Sequence, residues 1–258
     1  MPPILRKPRE PEELKIRHGQ VTFTDSSQRP TDRLTMCSGQ MRADVQKWLS
    51  PANVRDDLYR HQRDCMTGSC NWALEVLDVQ VFLSSETSEI LRIGGAPGSG
   101  KTTLFAFLID YITRTTTDDV LYFFCKGTDD KKSHPFQVLR TLVSQLLAKD
   151  ESLYPWFETL HQQSGQETAE SFASLHSSFQ LALRNTSKQL IFIAVDALDE
   201  CQEAKDLVFS MMAAAAETKK TIKVLITVRH SHFNSLQTMT QFMSNTPRLY
   251  FIEIIPGV

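Results

Sequence analysis

The run Gly95-Ala96-Pro97-Gly98-Ser99-Gly100-Lys101-Thr102 has the composition and spacing of a phosphate-binding turn. A glycine, four residues, then Gly-Lys-Thr satisfies the pattern G-x-x-x-x-G-K-[ST] in full. Each residue type has a chemical reason. Glycines at positions 95, 98 and 100 let backbone N–H groups crowd around phosphate oxygens. The helix expected to follow points its positive end at the same oxygens. Lys101 brings a flexible point charge suited to β- and γ-phosphates, and the Thr102 hydroxyl is the kind of group that ligates Mg²⁺. Ser99 and Thr103 complete the expected nucleotide-binding set. A plain glycine turn is the competing reading. A strand pattern before the motif and a helix pattern after it weigh against that reading.

A second candidate centre lies about a hundred residues on. Leu190 to Val195 is six apolar residues without a break, followed by Asp196-Ala197-Leu198-Asp199-Glu200. An aspartate at the end of a buried strand lies where parallel α/β sheets place their ligands. This predicts Asp196 as a Mg²⁺ residue beside Thr102, acting through water because Mg²⁺ keeps part of its hydration shell. Asp199 and Glu200 are candidates to polarise an attacking water, Glu200 being favoured. The competing reading makes them a solvated helix N-terminus, where carboxylates are favoured in any case. Thr227-Val228-Arg229-His230 ends another apolar run. Arg229 there is a candidate contact for a γ-phosphate, or a charged residue capping a strand. His230 and His232 read as loop histidines.

The elements that must position these groups follow from the apolar pattern. Strands are expected at Ile90–Ile93, Val120–Cys125, Leu190–Val195, Ile222–Val228 and Leu249–Ile255. Helical stripes alternate with them: one from the phosphate turn to about Thr113, one opened by Pro135, one through Phe172, Leu175, Phe179 and Leu183, and one around Ala204–Ala216. That alternation predicts a parallel sheet covered on both faces. Upstream, Met41, Val45, Trp48 and Leu49 fall at helical spacing before Pro51, and residues 72–83 read as a turn followed by helix. The expected organisation is a polar, poorly ordered leader over 1–40, a helical segment over 41–83, and a nucleotide-binding core over 84–258.

Composition narrows the classes. The chain has 258 residues, 41% hydrophobic and 22% charged, with a net charge of −2. That balance gives no case for nucleic-acid binding. No apolar run reaches membrane-span length, and the charged, proline-rich N-terminus is not a secretory signal, so a cytoplasmic protein is expected. Cys37, Cys65, Cys70, Cys125 and Cys201 are odd in number and scattered, which argues against a disulfide framework. The spacing of His61, Cys65 and Cys70 fits no common zinc pattern, and reduced, partly buried thiols are expected.

Several segments together resemble the NACHT class of the STAND P-loop NTPases. GAPGSGKTTL is similar to the phosphate turn of that class, LYFFCKGTDDKKSHPFQVLRTLVSQLL to its second strand and following helix, and IFIAVDALDEC to its Walker B element. The spacing of Asp196 from Asp199 and Glu200, with small Ala197 between, is the trait that sets the class apart. VLITVRHS resembles its Thr-Ser-Arg strand, with Val228 in place of the usual serine. The stretch from Trp48 to Trp72 is similar to the start of NACHT domains in fungal heterokaryon-incompatibility-type, NLR-like receptors. The resemblance spans about residues 45–235. It implies a three-layer α/β/α P-loop NTPase fold with a five-stranded, mainly parallel sheet, preceded by a short helical and polar extension. It also implies ATP or GTP with Mg²⁺ as cofactors, slow hydrolysis, and a signalling role through assembly with further copies or other NLR-like proteins. The helical and winged-helix parts and the repeats typical of such receptors do not follow in this sequence, which reads as a bare or truncated core.

Three functions compete. A signalling switch needs the phosphate turn, the acidic element and a sensor, and all three are present. A small-molecule kinase needs clustered arginines after the second strand, where residues 126–136 carry only Lys126, Lys131 and Lys132 beside Asp129 and Asp130. A non-catalytic module that binds nucleotide only for stability is the third. A GTPase is disfavoured by the lack of an Asn-Lys-x-Asp motif.

Overall fold

The computed structural model describes residues 12–17, 20–25, 39–204, 218–229 and 248–254, together with 207, 208, 211 and 213. His230, His232, Cys37, Ile255 and most of the polar leader lie outside the described residues, as does much of the helix expected over Ala204–Ala216. The strands are β1 (Glu12–Arg17), β2 (Gln20–Asp25), β3 (Glu89–Gly95), β4 (Asp119–Phe124), β5 (Leu190–Asp196), β6 (Thr221–Arg229) and β7 (Arg248–Ile254). The helices are α1 (Gly39–Leu49), α2 (Arg55–Asp64), α3 (Leu77–Ser84), α4 (Lys101–Thr115), α5 (Pro135–Lys149), α6 (Tyr154–Glu170) and α7 (Phe172–Asn185).

β1 and β2 pair as an antiparallel hairpin. The other five strands form one sheet in the order β4-β5-β6-β3-β7, every neighbouring pair parallel. This is the P-loop α/β fold expected from the motifs. The strands other than the edge strand β7 are buried almost throughout, which is why β5 and β6 read as unbroken apolar runs rather than alternating ones. Each fully buried Leu, Ile, Val or Phe contributes about 1.5–3 kcal/mol, so the sheet interior is the main source of stability. Because all five strands run the same way, their C-terminal ends share one edge. In register, Gly95 lies beside Arg229 and Ile254, and Phe124 beside Asp196.

Local signals set the helices. Gly100 turns left-handed at φ 93° to open α4, Pro135 opens α5, and the Ser171 hydroxyl caps α7 by accepting from the Ser174 N–H. Two helices occur where the apolar pattern predicts none. α2 (RDDLYRHQRD) carries almost no apolar side chains, and its first turn is favoured instead by Asp56 and Asp57. α6 is apolar only in its first half, where Tyr154, Phe157 and Leu160 are buried.

Two features of the sheet are not apparent from the pattern. The Gln145 amide closes the outer edge of β4, accepting from the Tyr122 N–H at 2.9 Å and donating to the Tyr122 carbonyl at 2.8 Å, as a paired strand would. Lys223, on β6, is fully buried. Its ammonium donates to the Phe82 and Leu83 carbonyls at 2.6 and 3.1 Å and lies near the rings of Phe82 and Phe192. It thereby caps the C-terminal end of α3 and pins that helix to the sheet. Burial lowers the Lys223 ammonium below its ordinary value, while Glu89 and Asp118 oppose the shift.

Candidate functional site

The phosphate turn joins β3 to α4. Gly95 adopts φ 156°, Gly98 76° and Gly100 93°, values that favour glycine. At Gly95 crowding adds a second reason, since a Cβ would meet Ser99 Oγ at 2.6 Å and the Ile254 carbonyl at 3.0 Å. At Gly98 and Gly100 a Cβ would meet nothing within 4 Å, so these two glycines line open space. The Ser99 hydroxyl is buried without a hydrogen-bond partner. Lys101 Nζ donates to the Gly95 and Ala96 carbonyls, 2.8 Å each. Burial lowers the Lys101 ammonium, Arg229 pushes the same way, and Asp199 and Asp196 oppose. Thr103 follows on the first turn of α4, half-buried.

The acidic element meets the turn through one contact. Thr102 Oγ1 donates to Asp196 Oδ2 at 2.9 Å, across 94 residues of sequence. On the other side of the carboxylate, Thr227 Oγ1 donates to Oδ1 at 2.6 Å. That same hydroxyl accepts the Ala197 N–H at 2.7 Å. Asp196 is 3% exposed. Burial raises its carboxyl above the ordinary value, and the hydrogen bonds from Thr227 and Thr102, the charge of His61 and the Ala197 N–H oppose the rise.

After Asp196 the chain turns sharply. Ala197 is left-handed at φ 48°, a conformation that costs an alanine about 1–2 kcal/mol. The turn buries Leu198 and faces Asp199 and Glu200 toward β6. Asp199 accepts the Arg229 N–H at 3.0 Å and pairs with Arg229 Nε at 2.9 Å. Glu200 pairs with Arg229 Nη2 and accepts the Gly127 N–H at 3.0 Å. The structure therefore gathers Lys101, Thr102, Asp196, Asp199, Glu200 and Arg229 at one edge, and places both candidate water-activating carboxylates on Arg229.

Two contributors are not singled out by the motifs or the apolar pattern. Thr227 holds Asp196 and Ala197 together; its signal was its position two before Arg229, on the same side of a strand. Val228 points the other way and is buried, so its replacement of a serine falls on the face away from Asp196. Gly127, which binds Glu200, lies in a loop without any pattern. His61, from α2, stacks on Phe124, the strand partner of Asp196, with centroids 5.6 Å apart. A cavity of about 590 Å³ at the β4 edge, lined by Val54, Leu58, Ile109, Tyr122 and Gln145, contains none of the site residues. The donors and acceptors named above converge instead at the sheet's C-terminal edge.

The open glycine cradle, the orphaned Ser99 hydroxyl and the Thr102–Asp196 pair are the donor set that a triphosphate and a Mg²⁺ ion take. The family model described as Nephrocystin 3, N-terminal matches residues 68–229. The Vegetative incompatibility protein HET-E-1 of Podospora anserina is 26% identical over 176 residues, covering 66% of this chain and 13% of that protein. This match bears out the resemblance to fungal NLR-like receptors, although the chain spans only a small part of that relative. Among solved structures, the Aeropyrum pernix ORC1 protein in complex with DNA is 14% identical, with 83% of this chain and 50% of that one covered and a TM-score of 0.44. Domain III of the Thermotoga maritima replication initiation protein DnaA is 12% identical, with 74% and 65% covered and a TM-score of 0.36. Among the described residues, no helix is long and apolar enough to cross a membrane.

Proposed function

The chain belongs to the Nephrocystin 3, N-terminal family, and from that premise we propose that it is the nucleotide-binding core of a signalling switch, binding a nucleoside triphosphate with Mg²⁺ and hydrolysing it slowly. The observation that carries the reading is the 2.9 Å bond between Thr102 and Asp196. It brings the end of the phosphate turn and the acidic strand end together, as a shared metal site requires.

The residues divide the work. The glycine turn offers backbone N–H groups to phosphate oxygens, and Lys101 adds a charge to them. Thr102 and Asp196 would hold Mg²⁺, which supplies neutralisation of phosphate charge when bound. Glu200 takes the proton of an attacking water, with Asp199 one residue away as the alternative base. Arg229 reaches the γ-phosphate from the end of β6, and its pairing with Asp199 and Glu200 links that contact to the two carboxylates. The structure favours neither adenine nor guanine. Assembly with further copies or with other NLR-like proteins is part of the same proposal.

A second reading has one observation in its favour. Both candidate bases are engaged by Arg229, which suits a module that binds nucleotide without turning it over. The purified chain separates the two. Nucleotide released on denaturation, identified by mass and ultraviolet spectrum, tests binding, and phosphate release under excess ATP or GTP tests turnover. Bound nucleotide with slow phosphate release supports the switch. Bound nucleotide without release above background supports the second reading, and no binding of either nucleotide contradicts both.

A further inference from the structure

Cys65 and Cys70 stand apart from the nucleotide site. Cys65 ends α2, its N–H donating to the Gln62 carbonyl. Cys70 precedes a short 3-10 helix over Asn71–Glu75. Between them Met66–Ser69 forms a turn closed by Ser69 N–H to Met66 O at 3.0 Å and Asn71 N–H to Gly68 O at 3.2 Å, with Gly68 at φ 79°. The turn brings the two sulfurs to 3.8 Å. The Ser69 hydroxyl lies 3.6 Å from the Cys65 sulfur and 3.8 Å from that of Cys70. Both thiols are free.

We propose that Cys65 and Cys70 form a thiol–disulfide exchange site whose substrate is a low-molecular-weight disulfide such as oxidised glutathione. A disulfide needs its sulfurs about 2.0 Å apart. Side-chain rotation and a small adjustment of an exposed four-residue turn close the remaining gap. Accessibility orders the steps. Cys65 is half-buried beside an exposed turn, whereas Cys70 is 7% exposed and burial raises its thiol. The Cys65 thiolate therefore attacks one sulfur of oxidised glutathione. The glutathione S–S bond breaks, and one glutathione leaves with the bonding pair and takes up the Cys65 proton. Cys70 then attacks the Cys65 sulfur, and the second glutathione leaves and takes up the Cys70 proton. Two protein thiols are oxidised and one small disulfide is reduced to two thiols.

The molecule contains its own control. Cys125 and Cys201 also interact, and Cys201 is the main reason the Cys125 thiol is raised well above its ordinary value, with burial adding to it. Both are 6% exposed. They interact as the first pair does, but neither has the access of Cys65.

The test equilibrates the folded chain with mixtures of reduced and oxidised glutathione, alkylates free thiols, and maps tryptic peptides. No Lys or Arg falls between 64 and 91, so both cysteines share the peptide 64–92. The expected result is that this peptide loses two hydrogens and both alkyl groups, reversibly with dithiothreitol, while Cys125 and Cys201 stay alkylated. Cys70→Ser should accumulate one glutathione on Cys65, and Cys65→Ser should leave Cys70 alkylated. The proposal is overturned if the parent peptide stays doubly alkylated in fully oxidised glutathione. It is also overturned if the parent holds glutathione on Cys65 without closing, or if Cys125 and Cys201 react first. Because the readout is thiol mapping, it is independent of nucleotide binding.

Discussion

The phosphate turn takes its shape from eight consecutive residues, whereas the acidic edge is assembled from segments far apart in the chain. In the turn, backbone φ angles and glycine space do the shaping, and the open positions at Gly98 and Gly100 face outward. At the acidic edge, side chains hold one another: Thr227 to Asp196, Asp199 and Glu200 to Arg229, Glu200 to Gly127. The first region is an open cradle with room for a ligand. The second is a network whose side chains already hold partners, so a ligand could engage them only by exchanging those partners.

Substitutions test that contrast most strongly at Glu200. Glu200→Gln keeps an oxygen for the Gly127 N–H and loses the proposed base. Phosphate release should fall about 10²–10⁴-fold, with nucleotide affinity near that of the parent chain. Parent-like turnover in Glu200→Gln together with loss in Asp199→Asn would move the base to Asp199. Next in size, Lys101→Ala removes the charge over the turn. Nucleotide affinity measured with a labelled nucleotide should fall about 10–100-fold, the loss of one charge-assisted hydrogen bond. The melting temperature should barely change, because among the described residues Lys101 bonds to carbonyls of its own turn.

Thr227→Val inverts that pattern. It strips a donor from Asp196 and the acceptor from the Ala197 N–H, so about 1–3 kcal/mol of stability should be lost, seen as a fall of several degrees in thermal unfolding. An unchanged melting temperature would mean that the acidic edge does not depend on its side-chain network.

The smallest effect belongs to a staple remote from both regions. Asp150 accepts from Ser152, Thr186 and Ser187, tying the α5–α6 junction to the end of α7. Burial raises its carboxyl, but these hydrogen bonds outweigh that and hold it well below the usual carboxylate range. Its folded pKa thus lies below its unfolded value of about 3.9. The stabilisation is complete above that value and is lost as pH falls through the folded one. Asp150→Asn should cost about 1–2 kcal/mol at neutral pH, with the difference from the parent shrinking in acid and nucleotide affinity unaffected. A gap that persists unchanged at low pH would contradict the assignment.

The same contrast explains what the sequence discloses. The phosphate turn is legible because its chemistry is local: the spacing of Gly95, Gly100, Lys101 and Thr102 carries the geometry. The five strands are legible because burial on both faces demands unbroken apolar runs. Asp196 is legible as the end of such a run. Thr227, Gly127 and Gln145 are not, because their partners lie 31, 73 and 23 residues away, and a single polar side chain leaves no period. α2 hides for a related reason, since a helix with few apolar residues has no stripe to read.

Thr102 and Asp196 are proposed to form a metal site for a bound triphosphate, and nucleotide affinity with and without Mg²⁺, in the parent chain and in Asp196→Asn, tests this most directly. Asparagine keeps the shape and removes the charge that balances the metal. Mg²⁺ should strengthen binding in the parent and have little effect in the variant, while metal-free affinities stay similar. An equal gain from Mg²⁺ in both would contradict it and make Asp196 a structural strand end.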